Sequence, residues 1–132
     1  SAVKTIDRII DALPAEEREQ TKSFLAQSLI AVITQVLVKR SDSRNRKGIC
    51  EIMVMNRAIG KLIQTEQTHQ LASQLQTGKE LGMQTLDQAL MAGVLAKELD
   101  PDAAYLNALD RRAFQRFVTD SSILPRVELP GA

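Results

Sequence analysis

The spacing of apolar residues changes twice along the chain. Ile6, Ile9, Ile10 and Leu13 recur at i, i+3, i+4 and i+7, one face of a helix that Pro14 must end, so a first helix is predicted to stop near Ala12. The following PAEEREQ puts carboxylates where a helix N-terminus favours them, and Phe24, Leu25, Ser28, Leu29 and Val32 continue an apolar face. A second helix is predicted over Ala15 to Ala31. The pattern then shifts to two β-branched runs, VITQVLV and EIMVM, on either side of SDSRNRKG, which reads as an antiparallel strand pair. Both runs are apolar at nearly every position, so burial on both faces is expected, with Val36, Val38 and Ile52 as the surface a larger sheet would cover. Two strands alone are marginal, so either helices cover them or they edge a larger sheet.

After Met55 the reading is helical almost to the end. Asn56 is a predicted N-cap ahead of the stripe Ala58, Ile59, Leu62 and Ile63, and Thr68 a predicted cap for a second short helix. Thr85 with Gln88 makes a capping box, with Leu86, Leu90 and Val94 inward. Asp100 before Pro101 is a cap and first-turn proline, and Asp110 is placed to cap a last helix holding Phe114, Phe117 and Val118. SSILPRVELPGA has no period and two prolines, which predicts a flexible tail over 121–132. The fold class is therefore mostly α with a small antiparallel strand pair.

Composition removes several classes of function. With 132 residues, 44% of them apolar and 25% charged, the chain suits one ordinary folded domain. Its 17 basic and 16 acidic side chains leave a net charge of +1, so no global field draws in a nucleic acid or an anionic membrane. Cys50, the one cysteine, cannot form an internal disulfide; its apolar flanks GICEIM suggest a small buried hydrophobe in a reducing compartment. No run approaches the roughly 18 apolar residues of a membrane span, and SAVKTIDRII lacks the apolar core of a signal peptide, so a cytoplasmic protein is expected. A start without Met, inside a helix, leads us to expect a piece of something longer.

Candidate chemistry is sparse. Arg44, Asn45, Arg46 and Lys47 could touch phosphate but lack interleaved aromatics, so a solvated hairpin tip is the favoured reading. His69 has no second His, Cys or carboxylate at ligand spacing, and a hydrogen-bonded turn residue is expected there instead of a base or metal ligand. Asp7 and Asp11, one turn apart, are read as solvated helix charge. Gly78 and Gly82 in QTGKELG depart from the G-x-x-x-x-G-K-[ST] phosphate loop and read as helix-end punctuation. Gly60 within its helix costs up to about 1 kcal/mol relative to Ala, which predicts close packing or local looseness.

TIDRIID (Thr5 to Asp11), SLIAVITQVLVKR (Ser28 to Arg40), AIGKLI, THQ (Thr68, His69, Gln70), LQTG and GMQTLDQAL (Gly82 to Leu90), in this order and spacing, resemble the type IV pilus retraction ATPases, the PilT and PilU family of the secretion-ATPase superfamily. The resemblance covers about Ser1 to Leu95, with Gly82, Met83, Gln84, Thr85 and Leu86 opening its most specific element. It implies the C-terminal part of a RecA-like α/β motor domain, residues 1–55, followed by a helical subdomain, residues 56–120. It further implies a cytoplasmic homo-hexamer at the inner-membrane face of the pilus base, in contact with a platform protein there and using ATP and Mg.

The family's Walker A loop, acidic box, Walker B and histidine box lie upstream of TIDRI, and none of them is in this chain. The expectation is therefore a catalytically inert part, without cofactor or metal, that contributes subunit contacts and coupling to a retraction motor. Ala58, Ile59, Gly60, Lys61, Leu62, Ile63, Gln64 and Thr65 fall where the family carries an AIRNLIRE-like coupling motif. Ala58, Ile59, Leu62 and Ile63 match it, whereas Gly60, Lys61, Gln64 and Thr65 replace its Arg, Asn, Arg and Glu, so the charged face is absent. The competing readings are the equivalent part of a type II or IV secretion ATPase, a free-standing helical adaptor for such a motor, and, least favoured, a nucleic-acid binder working through Arg44, Arg46 and Lys47.

Overall fold

In the computed structural model, residues 1–126 are described. The chain runs α1 (Ala2–Asp11), α2 (Ala15–Ser28), β1 (Ala31–Lys39), β2 (Arg46–Val54), α3 (Arg57–Gln64), α4 (Leu71–Thr77), α5 (Leu86–Leu95) and α6 (Pro101–Asn107), with short 3-10 turns at Thr68–Gln70, Lys79–Leu81, Arg111–Phe117 and Ser121–Ile123. The predicted caps at Asn56, Thr85 and Asp100 all form, their side chains accepting from the backbone N–H of Ile59, Gln88 and Ala103. Thr68 does not cap: α4 begins only after a 3-10 turn, with Gln70 before its first residue and no side-chain cap bond. Asp110 caps as expected, by accepting from Arg112, but the element it opens is 3-10 and not α. The second helix ends three residues early at Ser28, because β1 claims Ala31 onward.

β1 and β2 form a two-stranded antiparallel sheet, with Ile33 opposite Ile52, Gln35 opposite Cys50 and Leu37 opposite Gly48. The expected burial on both faces is corrected. The face of Val38, Ile49, Glu51 and Met53 is buried, whereas on the other Ile33 is 65% and Leu37 58% exposed and Cys50 only half-buried. Val38, expected on the uncovered surface, is therefore core, and Val36 and Ile52 are half-buried. Helices pack against one side only, and a strand's period of two sends alternate residues to opposite sides.

One edge of the sheet is also open. Ile52 exchanges both backbone bonds with Gln84, at 2.9 and 3.0 Å, so in the alternating ladder it faces away from β1 and its partner Ile33 faces away from β2. By the same parity Lys39 faces outward, and its carbonyl accepts from Asp100 N–H at 3.0 Å. The outward groups of Ala31, Ile33, Gln35 and Leu37 meet no backbone partner among the described residues.

Two apolar cores sit under the covered face. The first joins Ala2, Ile6 and Ile10 of α1 to Met53, to Ile59 and Ile63 of α3, and to Leu71, Leu75 and Met83. The second joins Val38 and Ile49 to α5, α6, Tyr105 and Phe114. Ile9 does not share the buried face predicted for it and is 41% exposed, because Ala2, Ile6 and Ile10 turn α1 by their own spacing. In the segment read as a flexible tail, Ile123 and Leu124 are half-buried against the second core. The remainder of that expectation, residues 127–132, lies outside the described residues. No helix among the described residues is long and apolar enough to cross a membrane.

Candidate functional site: a joint between two cores

The residues singled out by sequence fall into two places. Within α3, Ile59 and Ile63 are fully buried in the first core and Leu62 packs partly against it, but Ala58 is exposed and drops out of the inward stripe. Lys61, Gln64 and Thr65 are also exposed. Gly60 faces α2. A Cβ there would stand 3.3 Å from the carbonyl oxygen of Ala26 and 3.6 Å from its Cβ, so glycine lets the two helices approach closely. Of the two sequence expectations for Gly60, the structure selects close packing. Gly60, Lys61, Gln64 and Thr65 line a groove of about 660 Å³ between α2 and α3.

A charged link closes the far end of this helix pair. Gln67 N–H donates to Leu62 and Glu66 N–H to Ile63, the two bonds of a Schellman C-cap, with Glu66 in the left-handed position usually held by glycine (φ 58°). That conformation costs about 1 kcal/mol for a residue with a Cβ and delivers the Glu66 carboxylate to Lys22. Lys22 is buried on α2 and also donates to Glu19 at 3.0 Å. The bond from Lys22 holds the Glu66 carboxyl below its ordinary value of 4.5, and the bond to Glu66 raises the Lys22 ammonium above 10.5.

The stabilisation from a depressed carboxyl is complete above its unfolded value and lost as pH falls through the folded one; that from a raised ammonium is complete below 10.5 and lost at higher pH. Thermal midpoints of the native chain and of Glu66→Gln are therefore expected to differ from about pH 5 to 10 and to converge as pH drops below about 4.5. Parallel curves through the acid range would show that the pair does not couple the helices.

The second place lies between the cores. Gly82 takes a left-handed conformation (φ 84°) after the 3-10 turn, Met83 enters the first core, and Gln84 forms a one-residue bridge to Ile52 while its side chain donates to the Cys50 carbonyl at 2.7 Å. Thr85 then caps α5. GMQTL is thus a clip that stitches β2 to the C-terminal helices. Beside it Glu51, 4% exposed, points between the two cores and accepts from Ala2 N–H at 2.8 Å and from Leu86 N–H at 3.1 Å, the first residues of α1 and α5. One carboxylate thereby serves two helix N-termini, where negative charge is favoured. Its sequence signal was an acid inside an apolar strand run; Lys22 had no signal distinguishing it from solvated helix charge.

His69 and Thr85 meet across a cavity of about 630 Å³ that Glu51, Asp87 and Gln88 also line, while the α3 residues lie elsewhere. His69 is exposed within the 3-10 turn Thr68–Gln70, and its side chain makes no hydrogen bond among the described residues. Gln70 is exposed, and Thr68 lines a smaller charged cleft with Asp7, Asp11, Lys22 and Glu66. At the hairpin tip Lys47 pairs with Glu98 and Asp42 accepts from Arg44 N–H, while Arg46 is exposed. In the segment from Gly78 to Gly82, the N–H groups of Leu81, Gly82 and Met83 are used in turn bonds to Gly78 and Lys79, and Gly82 is the left-handed cap of the 3-10 turn, which is the helix-end role expected of it. Among the described residues no cluster of three or more His, Cys, Asp or Glu could hold a metal.

No family profile matches the chain. It is 45% identical over 103 residues to a twitching motility protein of Neisseria gonorrhoeae, covering 78% of this chain and 28% of that protein. It is 46% identical over 99 residues to the type IV pilus retraction ATPase PilT of Pseudomonas aeruginosa, covering 75% and 28%. A crystal structure of the retraction motor PilT with bound ADP superposes with a TM-score of 0.74 at 27% identity, over 87% of this chain and 32% of that one. The Legionella pneumophila ATPase DotB shares the fold, with a TM-score of 0.64 at 15% identity. The chain thus spans under a third of the length of these relatives. Over that span the helices, the hairpin and the sequence agree, and the chain is PilT-like, homologous to one part of the type IV pilus retraction ATPases.

Proposed function

We propose that this chain is the C-terminal part of the motor of a PilT-like hexameric ATPase that powers pilus retraction, and that it contributes subunit contacts and mechanical coupling while ATP and Mg are handled by other parts of the motor. Residues 1–55 then end a RecA-like core and residues 56–120 form a helical subdomain, working in the cytoplasm against a platform protein at the inner-membrane face of the pilus base. The observation that carries this reading is the open side of the hairpin. The outward backbone groups of Ala31, Ile33, Gln35 and Leu37 have no backbone partner among the described residues, and Ile33 and Leu37 stand exposed beside them, so the sheet is built to be extended and covered.

In this reading GMQTL and Glu51 join the sheet rigidly to the helices, and α3, pressed on α2 through Gly60, carries the displacement to a partner. Lys61, Gln64 and Thr65 set the chemistry of that outward surface while Gly60 keeps the two helices close; His69 borders the cavity at the joint, Thr68 the smaller cleft beside Glu66, and Gln70 stands exposed between them.

The test compares Mg-ATP turnover by the 132-residue chain with turnover by the native product isolated with an antibody to it. A larger, hydrolysing native product and an inert chain are expected. Robust hydrolysis by the chain alone would sink the reading, and a native product of about 14.6 kDa would replace it with the adaptor.

A further inference from the structure

The groove between α2 and α3 is lined by Arg57 and Lys61, by the amides of Asn56 and Gln64 and the hydroxyl of Thr65, and by no carboxylate. Arg57 and Lys61 are exposed, lie one turn apart on α3, and make no ion pair among the described residues. Like charges at that spacing repel, and Arg57 occupies the first position of the helix, the end at which a cation is disfavoured. No ion pair or side-chain hydrogen bond among the described residues offsets this.

The complementary charge is at the other end of α2. Glu16 and Glu17 are exposed in its first turn and make no ion pair among the described residues, while the neighbouring cations are turned elsewhere: Arg18 donates to the Leu13 carbonyl, and Lys22 to Glu19 and Glu66. The groove opens beside Ala26, about ten residues and hence roughly 15 Å further along the helix, so the acidic corner cannot reach its own groove.

Resting on the oligomeric reading above, we propose that two copies of this chain meet head to tail, the Glu16 and Glu17 corner of one docking in the α2–α3 groove of the next against Arg57 and Lys61. Both halves of the contact are on one chain, and they are of opposite charge. The surfaces differ, so the contact is heterologous and repeats around a ring when the rotation closes. It also places a subunit boundary on the coupling helix itself, so that a shift of α2 in one copy presses on α3 of its neighbour.

Sedimentation velocity of the 132-residue chain tests this. We expect species above 14.6 kDa at low salt that dissociate at about 0.5 M salt. Arg57→Glu with Lys61→Glu in one variant, and Glu16→Lys with Glu17→Lys in another, should each weaken association at least about tenfold, the loss of roughly one charge-paired contact. Mixing the two variants should restore it, because every corner then faces a groove of opposite sign. The milder Lys61→Ala and Glu17→Gln, checked for unchanged circular dichroism, guard against a trivial loss of fold.

A chain that stays monomeric throughout, or whose association ignores both reversals, overturns the contact. The full-length native product separates this from the motor reading. Assembly undisturbed by the Arg57→Glu, Lys61→Glu pair overturns only the groove contact, whereas an unaltered native product that never assembles overturns the oligomeric reading along with it.

Discussion

Ile59→Ala is expected to lower the unfolding free energy by about 2–5 kcal/mol, the cost of deleting a fully buried aliphatic side chain and leaving a cavity. Ile59 has no exposed surface and sits where α1, Met53, α3 and α4 converge, so little can collapse into the space. For a chain of this size the thermal midpoint should fall by roughly 10 °C. Ala58→Ser, one position earlier in the same motif but exposed, should stay within about 0.5 kcal/mol. Denaturant unfolding of the two variants separates a motif face that is core from one that is surface. Equal effects would show that the whole apolar stripe faces one way and that α3 is misplaced.

The second large effect is expected at Glu51. Removing its carboxylate in Glu51→Ala leaves the N–H groups of Ala2 and Leu86 without acceptors in a closed setting, at about 1.5–3 kcal/mol for each bond to a charged group. A total near 3 kcal/mol is reasonable, because water can enter from the adjoining cavity and recover part of the loss. Glu51→Gln keeps one acceptor oxygen and should cost about half as much. Amide hydrogen exchange gives the more specific signature: in the Ala variant the first turns of α1 and α5 should both lose protection, while α6 keeps it. A loss confined to one helix, or a change below about 1 kcal/mol, would mean that this carboxylate does not tie the cores together.

These two positions also mark where reading the chain succeeds and where it stops. Caps are local: the oxygen of Asn56, Thr85 or Asp100 meets an N–H three residues on, so their geometry follows from residues a few positions apart. The antiparallel pair was legible for a similar reason, since β-branched runs on either side of a polar turn have few alternatives. Which face of that pair is buried was not legible. VITQVLV is apolar at both parities, through Val32, Val36 and Val38 on one side and Ile33 and Leu37 on the other, so period two offers no choice between them. The choice is made by α1 and α5, whose N-termini both converge on Glu51 on the covered side.

The same distinction runs through the candidate site. Nothing within a few residues of Lys22 or Glu66 shows that they will meet, because their pairing spans 44 positions and depends on Glu66 taking a left-handed turn that glycine would take more easily. Gly60 signalled only that a side chain was absent; that α2 fills the space is a property of two helices packed together. By itself, the sequence determined most of the helices, the caps at Asn56, Thr85 and Asp100, the hairpin and the likeness to the pilus motors, because these rest on short-range hydrogen bonding and on motif order. Only the tertiary structure decided which apolar residues are core, that Glu51 joins two helix ends, and that one side of the sheet is left open, because each depends on which surfaces distant segments bring together.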